Sequence, residues 1–218
     1  MKHILLTLAL FSTLSLARAD SEWVPLLDGK TVAGWTDAKG QPPAPGWVVE
    51  DGALHRKAKA GDLISVKEYS NFDLEWEWKV AEGANSGLKY WVKIFPKGGP
   101  LGIEYQMIDD ERHPDAHKGD SHSTAAFYDI KAAAKDKAVK PAGEWNTSRI
   151  VSVNGVVEHY LNGKLAVSAD TKSPEWAELI AKSKFKKVEG FAPGKGKLLL
   201  QDHGDEVWFK NIRIKELP

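Results

Sequence analysis

Alternating hydrophobic and polar residues mark the clearest predicted strands of the chain. In residues 72–80, Phe72, Leu74 and Trp76 stand at every second position, and charged residues stand between them. Because successive side chains of a strand point to opposite faces of a sheet, this pattern predicts a strand with one buried face. Residues 88–94 repeat the pattern with a mixed polar face.

A third alternating stretch, residues 101–109, carries the most chemistry. Its apolar side consists of Ile103, Tyr105 and Met107. Glu104 and Gln106 stand on the other side, and Asp109 follows just beyond the end of the strand. Carboxylates beside a carboxamide can bind sugar hydroxyls or move protons. The alternative is an ordinary solvent-facing side of an antiparallel sheet.

The second half of the chain predicts further strands and a short helix. Asn-Gly pairs at 154–155 and 162–163 predict a three-stranded meander, because this dipeptide favours tight hairpin turns. Ser173 before Pro174 predicts a helix that ends near residue 183. Two final strands are predicted over residues 198–203 and 207–214. Many short strands without βαβ alternation predict an all-β fold, an antiparallel β-sandwich with one or two short helices.

Polar side chains stand at alternate positions of several predicted strands. They are Glu77, Lys79, Lys89, Trp91, Glu104, Gln106, His159, Gln201 and His203. If neighbouring strands bring these side chains together, they form one polar surface able to bind a ligand.

Residues 1–19 predict a secretory signal peptide. Lys2 precedes a short apolar run, and residues 17–19 form a small-x-small cleavage site. The run is too short to span a membrane, and no other segment is long enough, so no membrane span is expected. We therefore expect export, most simply to a bacterial periplasm, and a single domain over residues 20–218.

Charge and composition narrow the choice of partners. Removal of Lys2 and Arg18 with the signal peptide leaves 28 basic side chains against 30 acidic ones. This balance gives no reason to expect nucleic acid or anionic lipid as a partner. The nine tryptophans favour carbohydrate, because indole rings form flat platforms for sugar rings.

Ordered motifs along the chain resemble the 3-keto-disaccharide hydrolase domain family. The motifs are Leu27-Asp28-Gly29-Lys30 with Gly34-Trp35, residues 47–52, Asn71-Phe72-Asp73-Leu74, Asn85-Ser86-Gly87, residues 102–106 with Asp109, residues 143–146, residues 159–163, and residues 200–204 with residues 209–212. The resemblance implies a concanavalin A-like jelly roll and activity on 3-keto-glycosides or 3-keto-disaccharides in the periplasm. The implied partner is a small oxidised sugar.

The implied chemistry suits the polar residues of the chain. A ketone at C3 acidifies the proton on C2, so the bond at C1 can break by elimination, after which water adds back. This route needs a base, a proton donor and a group that stabilises the enolate. Glu104 and Asp109 are candidates for base and acid, without an assignment between them. Lys89, His159 or a bound cation could stabilise the enolate.

Substrate-binding candidates complete the predicted site. They are Glu77, Asn85, Lys89, Trp91, Gln106, Gln201 and His203. Trp91 stands where many members of the family have Arg, so an anion clamp would have to come from elsewhere. Direct displacement by two carboxylates remains an alternative to elimination, since it depends on their separation.

Two other readings of the whole chain remain open. The polar surface could belong to a lectin-like binding module without catalysis, or to a glucanase that acts on unoxidised glycans.

Residues 109–122 hold three His and four Asp, which could bind a divalent cation or cover the site as a polar lid. No cofactor is required by these patterns, and no known metal-loop spacing occurs.

Overall fold

The computed structural model describes residues 22–218, so the predicted signal peptide lies outside the described residues. The described chain consists mainly of strands, with one α-helix and two short 3-10 turns. The strands are β1 (Val24–Pro25), β2 (Trp35–Thr36), β3 (Trp47–Glu50), β4 (Ala53–Arg56), β5 (Leu63–Tyr69), β6 (Phe72–Val80), β7 (Asn85–Phe95), β8 (Gly99–Ile108), β9 (Asn146–Val153), β10 (Val156–Leu161), β11 (Lys164–Asp170), β12 (Gly196–Leu200) and β13 (Val207–Glu216). The helix α1 is Pro174–Lys182, and the 3-10 turns are Pro114–Lys118 and Asp120–His122.

Two antiparallel sheets pack face to face. The larger has the order β11-β10-β9-β6-β13-β4-β3, with β1 paired to β13, and the smaller has the order β2-β5-β12-β7-β8. Aromatic side chains join them: the rings of Phe72 and Tyr90 lie 5.9 Å apart, and those of Trp76 and Tyr105 lie 4.9 Å apart. Burial of each such ring contributes roughly 1.5–3 kcal/mol, so this shared interior holds the sheets together. The predicted all-β sandwich with a short helix is confirmed.

Local turn and cap chemistry agrees with the sequence. Asn154 and Gly155 have φ of 53° and 94°, and Asn162 and Gly163 repeat this left-handed geometry. Both pairs form the hairpin corners of β9, β10 and β11. The hydroxyl of Ser173 accepts a hydrogen bond from the backbone N–H of Trp176 at 3.1 Å and so caps α1. The predicted meander and helix are both confirmed.

The face predicted for Trp91 is wrong. Between Tyr90 and Lys93 the register of β7 against β8 shifts by one residue, which is a β-bulge. Trp91 occupies the bulge with φ of 51°, and its side chain is buried. Its indole N–H donates to the carbonyl of Ser70 at 3.1 Å. One extra residue reverses the alternation, so Trp91 packs in the interior and does not face a ligand.

A loop covers the free edge of β8. The backbone N–H of Gln106 donates to the carbonyl of Ala126, and the N–H of Ala125 donates to the carbonyl of Gln106. The N–H of Tyr128 donates to the carbonyl of Glu104 at 3.1 Å. This pairing protects an edge that would otherwise attract other strands. It also explains why Glu104 and Gln106 are buried although β8 ends its sheet.

None of the helices in residues 22–218 has the length and apolar character required to cross a bilayer.

Candidate active site

The candidate site begins with an ion pair on the outer face of the smaller sheet. Lys89 on β7 lies directly opposite Glu104 on β8. The Nζ of Lys89 is 3.5 Å from Oε2 of Glu104, and the two side chains are only 13% and 5% exposed. A carboxylate held away from bulk water beside an ammonium group can exchange protons with a bound molecule.

Gln201 and Gly87 shape the space around this pair. The backbone N–H of Gln201 donates to the carbonyl of Gly87, which continues the pairing of β12 with β7. With its amide oxygen towards Lys89 and its amide nitrogen towards Glu104, Gln201 lies 3.2 Å from Nζ and 3.3 Å from Oε1. A Cβ on Gly87 would stand 2.6 Å from Oε1 of Glu104. The missing side chain therefore leaves the room that the Glu104 carboxylate occupies.

Asp202 fixes the loop that presents Gln201. Its carboxylate accepts hydrogen bonds from the backbone N–H groups of Ala60 and Gly61 at 2.8 and 2.7 Å. The same carboxylate pairs with Nε of Arg56 at 2.7 Å. Burial raises the pKa of Asp202, but these donors outweigh burial and the net shift is downward. Asp202 therefore stays ionised and anchors the loop.

Asp62 adds a second carboxyl group to this face. Leu63 pairs with Leu200, so Asp62 and Gln201 are the next opposed positions of β5 and β12. One oxygen of Asp62 accepts from the backbone N–H of Asp202 at 2.9 Å. Burial raises the pKa of Asp62, opposed by this hydrogen bond and by Lys89. We refer to Asp62, Lys89, Glu104, Gln106 and Gln201 as the polar floor.

A hydrogen-bonded wall stands beside the polar floor. The hydroxyl of Tyr128 donates to Asp115 at 2.8 Å, and the imidazole of His122 contacts Asp129 at 3.1 Å. The Nζ of Lys184 lies 4.1 Å from the centre of the Tyr128 ring. Desolvation lowers the pKa of Lys184, and the attraction of Glu104 opposes this shift. The wall therefore brings a second ammonium group towards the Glu104 carboxylate.

Two buried amide oxygens have unused hydrogen-bonding capacity. The Oδ1 of Asn85 and the Oε1 of Gln106 have no partner among residues 22–218. Asn85 and Gly87 share one side of β7, and Gln106 lies opposite Gly87 on β8. Because a buried acceptor without a donor is destabilising, both oxygens would gain from a donor, which a ligand hydroxyl can supply only where the side chain turns towards the outer face of the sheet.

His203 lies at one end of this face. It follows Gln201 by two residues, is exposed, and approaches His113 with a distance of 6.2 Å between the ring centres. The structure thus brings together five of the predicted site residues in one region: Asn85, Lys89, Glu104, Gln106 and Gln201, with His203 beside them.

Asp109 is not brought together with Glu104. Asp109 follows Glu104 by five positions of extended chain, which corresponds to about 16 Å. The carboxylate of Asp109 accepts from the backbone N–H groups of Gly83, Glu111 and Arg112 at 2.7, 3.1 and 3.2 Å. Burial raises the pKa of Asp109, but these donors together with the charge of Arg112 outweigh burial, and the net shift is downward. Asp109 caps a turn, which corrects its predicted pairing with Glu104.

His159 is likewise not part of the polar floor. It is fully buried between the sheets, where Nδ1 lies 2.9 Å from the carbonyl of Ala125 and Nε2 lies 3.0 Å from the hydroxyl of Tyr90. Burial lowers the pKa of His159 to about 3, so its ring is neutral. The structure corrects its predicted catalytic role, because this imidazole has no access to a ligand.

Glu77 belongs to the other sheet. It lies on β6, where it accepts a hydrogen bond from Asn211 at 2.6 Å and pairs with Lys210 at 3.3 Å. A surface hollow of about 440 Å³ borders it, and there Glu75 is paired with Arg213. Because these carboxylates already have partners, the hollow offers few free polar groups. The prediction that Glu77 joins the site of Glu104 is wrong.

Several residues of the site were not indicated by the sequence patterns. Asp62 follows Gly61 and directly precedes an apolar strand. A carboxylate at the start of a strand is a sequence signal that could have marked it as a candidate. Tyr128 and Lys184 lie in irregular segments, where alternation gives no information on direction. Only the folded chain brings these segments against β8.

Comparisons with known proteins identify the family of this chain. A family model described as 3-keto-alpha-glucoside-1,2-lyase-like domain matches residues 22–215. A 3-keto-disaccharide hydrolase of Bacteroides thetaiotaomicron is 34% identical over 229 residues, covering 89% of this chain and 78% of that protein.

Solved structures of other proteins are also similar to this chain. A candidate glycosyl hydrolase from Parabacteroides distasonis matches with a TM-score of 0.82 and 36% identity, covering 90% of this chain and 94% of that chain. A carbohydrate-binding module from Bacillus subtilis, with a TM-score of 0.51 and 14% identity over 84% of this chain and 96% of that chain, shares the fold alone. The chain belongs to the family of 3-keto-alpha-glucoside-1,2-lyase-like enzymes.

Proposed function

We propose that this protein cleaves the glycosidic bond of 3-keto-glycosides, including 3-keto-disaccharides, by elimination across C1 and C2 followed by addition of water. The observation that carries this proposal is the Glu104 carboxylate, held between Lys89 and Gln201 on a floor with unused amide oxygens. Membership in a lyase-like family supports the same chemistry.

The reaction balances with one base and one acid. Glu104 takes the proton from C2, and the electron pair moves into the ketone to give an enolate. The enolate then re-forms the ketone as the C1–O bond breaks, which leaves a C1=C2 double bond and an alcohol that has gained a proton. Addition of water across C1=C2 gives the 3-keto-sugar. The net change is hydrolysis of the glycosidic bond.

The neighbouring groups divide the remaining tasks. Lys89 and Lys184 place positive charge near the site where the enolate oxygen forms, which lowers the barrier to its formation. Asp62 is the proposed proton donor to the leaving oxygen, because burial raises its pKa and favours the protonated form. Asn85 and Gln106 offer acceptors for sugar hydroxyls. Direct displacement with Asp109 as second carboxylate would need a much shorter separation than about 16 Å.

The test uses an aryl 3-keto-glucoside with deuterium at C2. We expect release of the aryl alcohol and a primary isotope effect, because an aryl alcohol leaves readily and proton removal at C2 is then the slow step. Glu104→Gln should lower kcat by at least about 100-fold, since a general base contributes about 10²–10⁴-fold. Glu77→Gln is the matched control, because that carboxylate lies on the other sheet, and it should retain the wild-type rate.

Three results would contradict the proposal. Unchanged turnover by a folded Glu104→Gln variant would remove the proposed base. Hydrolysis of unoxidised β-glucan with no action on the keto-glycoside would favour a glucanase, and sugar affinity by calorimetry without turnover would favour a lectin-like module.

We also propose that the protein is exported after removal of residues 1–19. The basic start, the apolar run and the small-x-small site support this proposal. Expression of the full chain in a bacterium should yield a mature protein in the periplasmic fraction whose first residue, by N-terminal sequencing, is Asp20. Retention of Met1 in the cytoplasmic fraction would contradict it.

A further inference from the structure

One cluster of potential metal ligands lies beside the polar floor and has no part in the proposed proton transfers. His113, His203 and Asp205 each offer one ligand atom, and these three atoms lie within 4.8 Å of one another. His113 comes from the loop after β8, whereas His203 and Asp205 come from the loop after β12. Two separate loops therefore converge their donor atoms at one point.

The members of this cluster are held by the surrounding backbone. The backbone N–H of Asn85 donates to Oδ2 of Asp205 at 2.9 Å, and the other carboxylate oxygen accepts no hydrogen bond from residues 22–218. His113 is held through its own N–H, which donates to the carbonyl of Asp109 at 3.0 Å. Asn85 also carries the buried Oδ1 without a partner among the described residues. Asn85 therefore orients Asp205 through its backbone N–H.

We propose that His113, His203 and Asp205 bind a divalent transition-metal ion at one end of the polar floor. Two imidazoles and one carboxylate are ligands that suit Mn²⁺, Fe²⁺, Co²⁺ or Zn²⁺ and leave coordination positions open. The chain has no competing thiolate, because it contains no cysteine.

The position of the cluster indicates what the ion does. The carboxylate of Glu104 lies over Gly87, and Asn85 is two strand residues further along, a distance of about 7 Å. One sugar ring can fill such a span. This role rests on the proposed function: the ion coordinates the C3 ketone oxygen and polarises it, which acidifies the C2 proton that Glu104 removes.

One contact predicts a structural response to the metal. Nδ1 of His113 accepts a hydrogen bond from the backbone N–H of Asp115 at 3.1 Å, so a neutral ring carries its proton on Nε2. Coordination through either ring nitrogen must break this contact. The loss of one hydrogen bond is small compared with the binding energy of a protein metal site. Metal loading should therefore release the N–H of Asp115.

The experiment measures metal binding in the absence of sugar. Chelator-stripped full-length protein is titrated with Mn²⁺ by paramagnetic resonance and with Zn²⁺ by calorimetry. We expect one ion per chain, with affinity at least 10-fold weaker in His113→Ala and in His203→Ala. His117→Ala is the matched control, because His117 lies in the same loop but contacts the carbonyl of Glu111 outside the cluster. Hydrogen exchange of the Asp115 amide should accelerate when the metal binds.

The outcomes separate this inference from the proposed function. Absence of binding, or binding that His113→Ala and His203→Ala leave unchanged, overturns the metal site. A loaded protein that leaves the keto-glycoside intact contradicts the proposed function while the metal site stands. Equal cleavage rates with and without the ion overturn the catalytic role given to the metal and leave the proposed function intact.

Discussion

Replacement of Gly87 by alanine should disable the site without unfolding the sheet. Gly87 lies in β7 directly opposite Gln106, and the Cβ of an alanine there would stand 2.6 Å from Oε1 of Glu104. The added methyl group would also lie 3.0 Å from Cγ and 3.1 Å from Cδ of the same side chain. The nearest atoms all belong to one carboxylate arm, so the carboxylate must move.

The displacement can be estimated from these distances. Ordinary contacts of a Cβ begin near 3.4 Å, so Oε1 must retreat by roughly 0.8 Å. That movement changes the contacts of Glu104 with Lys89 and Gln201. A misplacement of about 1 Å can reduce a reaction rate by about 100-fold, which is about 2.7 kcal/mol in the barrier. Overpacking costs about 1–3 kcal/mol of folding stability, less than typical domains possess.

The assay compares kcat for the aryl 3-keto-glucoside with the urea midpoint of each variant. We expect Gly87→Ala to lose about 100-fold in kcat and to unfold cooperatively at a moderately lower midpoint. Gly119→Ala is the control, because a Cβ there meets open space and φ is 165°, an extended conformation that alanine adopts. Its rate and midpoint should equal those of the wild type.

A folded Gly87→Ala variant with the wild-type kcat would refute the reasoning. It would mean that the position of the Glu104 carboxylate does not govern the rate, and that the base lies elsewhere. Loss of folding in Gly87→Ala would move the test to the same variant in the presence of a stabilising osmolyte, where the steric argument predicts the same loss of kcat.

Three further predictions concern the residues outside the polar floor. Burial lowers the pKa of His159 from an ordinary 6.5 to about 3, so unfolding takes up a proton below pH 6.5. The free energy of unfolding should therefore fall as the pH drops from about 6.5 towards 3, by at most about 5 kcal/mol. The urea midpoint should depend less on pH in His159→Gln, and an unchanged pH dependence would contradict the neutral state of the His159 ring. Asp109→Ala should lower the free energy of unfolding by about 1–3 kcal/mol, because it loses backbone hydrogen bonds. The folded variant should keep the wild-type kcat. Loss of turnover without loss of stability would show that Asp109 takes part in the reaction. Ser173→Ala should lower stability by about 1 kcal/mol, because it removes the cap of α1, and Ser173→Asp should retain it.

The sequence predicted strands and hairpins because each depends on neighbouring residues. The alternation in β6 and the Asn-Gly corners between β9, β10 and β11 are local signals, and both are confirmed. The face of Trp91 depends on a bulge against β8, which local alternation cannot reveal. The sequence around His159 does indicate burial, because Val157 and Leu161, two positions before and after it on the same strand, are apolar and share its buried face.

The sequence could not predict which of the two sheets each strand joins. Glu77 and Glu104 both stand opposite a buried row of their own strand, so the two patterns look alike. The strand order places β6 in one sheet and β8 in the other, and their polar faces look outward on opposite sides of the sandwich. Only long-range pairing decides this, and it separates two carboxylates that the alternation had grouped together.

The state of the hydrogen bonds distinguishes the two outer faces. On the larger sheet, Asp73 holds Arg149 through two contacts of 2.6 Å, and Glu77 is paired as well. A ligand there would have to displace partners that already satisfy each charge. On the smaller sheet, the buried oxygens of Asn85 and Gln106 have no partner in the described chain. A sugar hydroxyl that reaches them gains a hydrogen bond and displaces none, so binding is favoured on the face that also carries Glu104.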